Sequence, residues 1–170
     1  FGESVSVTPE SLKNNLSFQI NDSTLRGISN EGYKFDFKAK AISPAKYSKN
    51  DIYVQQINGQ IIFSNETFIK LSAQNAILSS DQRYLDFYGN LKINTKDSLS
   101  IFSDSVRLDI NEKTLSTDSE VTLTTPTGSA SSGKMKIKID DLSELDNTLI
   151  YLENNVKMSF EILRTEKNGL

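Results

Sequence analysis

The chain has no cysteine and no histidine among its 170 residues, and only three prolines. Without cysteine there are no disulfides, no thiolate nucleophile and no zinc knuckle, although the compartment stays open because many envelope proteins also lack it. Without histidine, the commonest general base and the commonest transition-metal ligand are missing, so most hydrolytic mechanisms lose their centre. No apolar run approaches the roughly 18 residues of a membrane helix. The segment Phe1 to Pro9 has neither the basic start nor the apolar centre of a signal peptide. A formal net charge of −3 provides no broad positive field, which argues against a nucleic-acid partner.

What remains is β-forming. Apolar residues make up 36% and charged residues 24%, and Ile, Thr, Phe and Tyr recur throughout, a mixture that suits half-buried strands. Thr8, Pro9 and Glu10 predict a helix start, with a short helix over about residues 9–15. From Leu16, Phe18 and Ile20 onward the apolar positions alternate with polar ones, and turn residues recur at short intervals: Asn58 with Gly59, Ser79 to Asp81, Lys96 to Ser98, Asn111 to Lys113 and Pro126 to Gly128. No later segment keeps a 3.6-residue period, so parallel βαβ architectures are excluded. The expected organisation is an N-terminal segment 1–22, one β domain over 23–165, and a tail 166–170.

One phrase repeats, with apolar residues two apart around a small or turn-forming residue. Leu85, Phe87, Gly89, Leu91 and Ile93 form one copy; Leu115, Thr117, Ser119, Val121 and Leu123 another; Ile150, Leu152, Asn154, Val156 and Met158 a third. A weaker copy is Ile57, Gly59, Ile61 and Phe63. The step is roughly 30 residues, the period of a stacked β array. The central residues are expected to be bends, and their same-parity neighbours to share one apolar face.

Motifs that carry chemistry fail on inspection. Gly128 to Met135 nearly matches a phosphate-binding P-loop, but Met135 stands where a hydroxyl must bind Mg²⁺, and Lys134 to Ile139 alternates as a strand where a helix is required. Ser132 and Lys134 share parity and would face the same side, yet nothing desolvates the lysine. Asp104, Asp109, Asp140 and Asp141 are turn and surface acids without a Ca²⁺-loop pattern, so no metal is assigned and no cofactor is expected. Lys134, Lys136 and Lys138 alternate with Met135, Ile137 and Ile139, giving a strand with one cationic and one apolar face. Lys34, Lys38, Lys40, Lys46 and Lys49 enrich a second stretch around Phe35 and Phe37.

Taken in order, several phrases resemble the LptC family of lipopolysaccharide-export bridge proteins. They are GYKFDFKAKAI at Gly32 to Ile42, LSAQNAILSSDQRYLDFYGNLKI at Leu71 to Ile93, STDSEVTL at Ser116 to Leu123, SSGKMKI at Ser131 to Ile137 and LENNVKM at Leu152 to Met158. The resemblance implies an all-β fold, an open and twisted OstA-like β-jellyroll of many short antiparallel strands preceded by the short helix. It implies no catalysis. It also implies a bridge that accepts lipopolysaccharide from the inner-membrane LptBFG transporter and passes it to LptA. The site would be the periplasmic face of the inner membrane of a Gram-negative bacterium, with a membrane anchor upstream of Phe1.

On that reading the groove lining is the same-parity apolar set: Phe35, Phe37, Ile61, Phe63, Phe87, Leu91 and Ile93, then Val121, Leu123, Met135, Ile137, Leu152, Val156 and Met158. Lys134, Lys136 and Lys138 would form a rim facing phosphates, and Tyr88 has the opposite parity from Phe87. Ile150 to Leu163 is expected as one long terminal strand whose edge, with Val156, Met158, Phe160 and Ile162, receives LptA, while the N-terminal edge meets the periplasmic domains of LptF and LptG. Two alternatives stay open at this point: an LptA-like or other OstA-type lipid carrier, and a structural β-repeat module with a dry core and no ligand.

Overall fold

The computed structural model describes residues 20–28, 32–48, 50–143 and 149–161. The helix expected over residues 9–15, the tail 166–170 and Ile162 lie outside the described residues. Alternating sequence becomes strand almost throughout. The strands are β1 (Ile20–Ile28), β2 (Lys34–Pro44), β3 (Ile52–Ile62), β4 (Phe68–Leu78), β5 (Tyr84–Thr95) and β6 (Ser100–Asp109). The shorter β7 (Thr114–Thr117), β8 (Val121–Thr125), β9 (Gly128–Ser132), β10 (Lys134–Lys138), β11 (Ile150–Glu153) and β12 (Lys157–Phe160) follow, with a 3-10 helix at Ile139–Ser143 after β10. No helix among the described residues is long and apolar enough to cross a membrane.

Pairing is antiparallel, in the order β1-β2-β3-β4-β5-β6, and the sheet divides at β6. Arg107 to Asp109 pair with β7, while Ser100 to Ser103 pair with β8. One branch continues through β7, β10 and β11, the other through β8, β9 and β12. This is an open, all-β jellyroll.

The division marks a crease that crosses β3 to β6. On β3, Val54 and Ile57 are both buried and Gln56 between them is exposed, with a φ of 50°. On β4, Ala73 and Ala76 flank Gln74 and Asn75; on β6, Ser103 and Val106 flank Asp104 and Ser105. Strict alternation would put only one outward residue between two inward ones. Two in succession lengthen the convex side and fold the strand. On β5 the adjustment is a bulge at Gly89 (φ 82°) and Asn90 (φ 48°), where the register shifts against both neighbours. After β6 the crease becomes a break: at 118–120 between β7 and β8, at Gly133 between β9 and β10, and at Asn154–Asn155 (φ 65° and 53°) between β11 and β12.

Bending frees backbone groups, and hydroxyls recover them. The Ser103 hydroxyl donates to the carbonyls of Ser105 (3.1 Å) and Glu120 (3.0 Å), and Ser132 donates to the Lys134 carbonyl at 2.8 Å. The Ser119 amide donates to Thr117 Oγ1 at 2.9 Å, and the Gly133 amide to the Asn154 carbonyl at 2.7 Å. Each such bond contributes about 1 kcal/mol net, and leaving a buried partner unmade costs more.

Three sequence expectations need correction. Gly89, Ser119 and Asn154 do lie on the crease, but Gly59 does not: it pairs inside straight β3, and the bend is at Gln56. Gly59 is there for closeness, since a Cβ would stand 2.1 Å from the Asp36 carbonyl oxygen and 2.6 Å from Phe37 Cα. Ser132 and Lys134 do not share a face, because the Gly133 break reverses parity and leaves Ser132 buried and Lys134 exposed. The terminal run from Ile150 is two four-residue strands, β11 and β12, interrupted by the two asparagines.

The crease turns the apolar sides of both half-sheets toward each other, and their far ends are tied together. Tyr33, immediately before β2, donates its hydroxyl to Asp140 in the 3-10 helix that follows β10, and its ring meets Phe63 edge-on at 5.5 Å. Burial, then the Asp140 hydrogen bond and charge, push the Tyr33 phenol from 10.0 up to about 12.

Two expectations for stability follow. Gly59→Ala should cost about 3 kcal/mol, because rigid backbone blocks the new methyl. Gly89→Ala should cost less, about 1–2 kcal/mol, set by its left-handed backbone and by exposed Gln74, whose amide can swing aside while its Cβ, 2.8 Å away, must shift slightly; urea unfolding that ranks them in reverse would contradict the crease assignment. The raised phenol pKa means that the stability contributed by Tyr33 is complete below pH 10.0 and lost as pH climbs toward about 12. Urea midpoints of the wild type and Tyr33→Phe should therefore converge over that range, and a gap that persists at high pH would show that the hydroxyl contact is not the tie.

Candidate functional site

The buried residues of both half-sheets form one cluster, and most of the expected lining falls in it. Phe37, Ile61, Phe63, Phe87, Leu91, Ile93, Val121, Leu123, Met135 and Ile137 are all buried, with Phe87 1% exposed. Phe35 and Leu152 are half-buried and pack against the cluster. Val156, Met158 and Phe160 are exposed, Met158 and Phe160 at 60%. The expected lining left out Ile57 and Leu115, which the repeated phrase had already placed on the apolar face, and sequence reading missed Ile42, Val54, Ile69, Leu71, Ile101, Val106 and Leu108, all of which share the interior. Val54, Val106 and Leu108 lie beyond a reversal of parity at the crease, whereas Ile69, Leu71 and Ile101 pair directly with Ile61, Ile93 and Leu123 and carry an ordinary alternation as their signal.

Cross-strand partners point to one face, so the register shows how the interior is arranged. Leu25 pairs with Phe37, Phe37 with Gly59, Gly59 with Leu71 and Leu71 with Ile93. The row continues through Ile101, Leu123 and Ala130 to Met158. On the other half-sheet, Leu78, Leu85, Leu108, Leu115, Ile137 and Ile150 form the matching row. Both rows run along the crease, perpendicular to the strands, the first from β1 to β12 and the second from β4 to β11.

Burial changes along these rows. Ile93 and Ile101 are fully enclosed, Leu25 at one end is half-buried, and exposure rises through Ala130 to Met158 at the other. β12 pairs only with β9, so its second edge of backbone N–H and C=O groups has no strand partner among the described residues. Gly128 allows the β9–β12 approach, since a Cβ there would stand 2.3 Å from the Ser159 carbonyl oxygen. The apolar side of β12 is thus an uncovered continuation of the interior wall.

The polar residues named from sequence are on the outside. Lys134, Lys136 and Lys138 are exposed on the face of β10 opposite Met135 and Ile137; Lys134 Nζ lies 3.8 Å from Asp118, and Lys138 Nζ donates to the Glu112 carbonyl at 3.4 Å. Gly128 to Met135 is strand, break and strand, with none of the helical amides a P-loop needs. Tyr88, opposite Asn75, is half-buried away from the interior, and burial followed by the neighbouring Tyr53 raises its phenol pKa.

No curated protein matches the chain. One family does, described as lipopolysaccharide-assembly, LptC-related, and its match covers residues 3–161, nearly the whole length. That span takes in every strand, the crease and both apolar rows. The chain therefore belongs to the LptC-related family of lipopolysaccharide-assembly proteins and is a component of lipopolysaccharide transport.

Proposed function

We propose that the protein is a non-catalytic bridge whose interior takes the acyl chains of lipopolysaccharide received from the LptBFG transporter and delivers them toward LptA. The apolar set from Phe35 to Met158 is the lining, and the domain works at the periplasmic face of the inner membrane of a Gram-negative bacterium. The observation that carries this reading is the continuous apolar row from Leu25 to Met158, which runs from edge to edge and ends on an exposed strand. An ordinary core would close at its edges; a conduit needs an open end. Each buried CH₂ is worth about 0.8 kcal/mol, so part of one chain gives useful affinity without a tailored pocket.

Because the central lining is closed, lipid uptake requires the half-sheets to part, and the half-buried Leu152 and exposed Val156 and Met158 mark where they part most easily. LptF and LptG would dock on β1. LptA would add a strand to β12, a mode in which main-chain hydrogen bonds supply affinity.

Saturable lipopolysaccharide binding by the purified domain separates a conduit from a structural β-repeat with a dry core. Deleting residues from Asn155 onward should abolish capture of LptA and leave lipid binding largely intact, because β12 contributes four exposed residues. Gly128→Val, which prevents β12 from docking on β9, should reproduce that loss. Capture retained in both variants would remove β12 from the handover.

A further inference from the structure

The outer side of the half-sheet that carries the row from Leu25 to Met158 is unlike the chain as a whole. With a net charge of −3, the protein still gathers lysines here. Cross-strand pairing puts Lys38, Asn58, Ser72 and Lys92 in one outward row. Lys70 stands in the next row between Gln60 and Asn94. Together these line a depression of about 570 Å³ on the outer face of β2 to β5.

Among the described residues the three lysines have no carboxylate of their own. Among the described residues none of them forms an ion pair, and the one acid in the depression, Asp36, is engaged by Arg26 at 3.4 Å. Two of them are braced by aromatic rings. Lys70 Nζ lies 5.7 Å from the Phe68 ring centroid and Lys92 Nζ lies 5.5 Å from that of Phe102, contacts that favour a cation over the ring face. Like charges gathered within about one Debye length repel, and a bound anion relieves that repulsion. The amides of Asn58, Gln60 and Asn94 and the hydroxyl of Ser72 add neutral donors and acceptors suited to a ligand that carries hydroxyls as well as charge.

We propose that Lys38, Lys70 and Lys92 form an outward-facing anion site for a phosphate group borne on a polyhydroxyl headgroup. The site lies on the opposite side of the sheet from the apolar row and stands whether or not the interior takes acyl chains. A phosphorylated sugar and an anionic glycerophospholipid both present this chemistry.

The test titrates the whole chain with a glucosamine phosphate and with phosphate-free glucosamine, following backbone amides by two-dimensional NMR. A parallel arm floats the protein with phosphatidylcholine vesicles containing phosphatidylglycerol. The phosphate-bearing probe should give saturable, salt-sensitive shifts centred on residues 38, 58, 70 and 92, with none from glucosamine. Replacing the three lysines together by Gln should lower affinity about tenfold or more, and replacing them by Arg should keep it within about threefold. Thermal midpoints check folding; if the triple Gln variant is unstable, the single Lys→Gln variants give the comparison. Sugar-phosphate binding without vesicle binding assigns the site to a saccharide, and vesicle binding that the Gln variant loses assigns it to a lipid surface. Absence of saturable binding in both arms, binding unchanged in the Gln variants, or equal binding of a phosphate-free acidic peptide would overturn the proposal.

Discussion

Everything in this fold depends on the crease. A flat sheet of these strands would show water a continuous apolar face, since each strand keeps one side greasy from end to end. Placing two successive outward residues at one level of β3, β4 and β6, with a bulge at the same level of β5, folds that face onto itself, and the price is local: left-handed backbone at Gln56, Asn90 and Asn154, and carbonyls pulled out of the ladder. Serines and threonines along the line recover several of those carbonyls and amides. The exposed residues on the line are almost all polar, because they occupy the convex side of a bend where nothing packs against them.

The crease is not uniform. From β3 to β6 the chain passes through it unbroken, so the half-sheets are held together by covalent backbone and converge on a tightly enclosed centre. Beyond β6 each strand is cut in two, and the halves end on separate edge strands, β11 and β12, with only Asn154, Asn155 and Val156 between them. Covalent continuity and enclosure therefore fall together toward the C-terminal side. On the proposed conduit reading, that gradient would leave the C-terminal edge as the open end of the interior.

The strands were legible because period-2 alternation survives wherever a strand is straight, as in Lys34–Lys38 and Lys134–Lys138. Small or turn-forming residues also betrayed the crease at Gly89, Ser119 and Asn154. The rest was hidden for physical reasons. At Gln56, Gln74 and Asp104 the bend is made by ordinary polar residues, so the reversal of parity reads in sequence as a lapse of alternation, and the inward set beyond it, including Val106 and Leu108, is lost. Gly59 misled in the opposite sense: its missing Cβ serves the close approach of Asp36 and Phe37, not a bend. Lys38, Lys70 and Lys92 come from three strands, and only register brings them together.

The account stands or falls on which side of the sheet meets acyl chains. The direct measurement is photolabelling with a lipid whose acyl chain carries a diazirine, followed by mass-spectrometric mapping of the labelled residues. Label should concentrate on the inward row, at Phe37, Leu71, Ile93, Ile101, Leu123 and Met158, and spare the outward row of Asn58, Ser72, Phe102 and Thr122. Label distributed equally over both rows, or found chiefly on the outward one, would contradict a lipid path folded inside the crease.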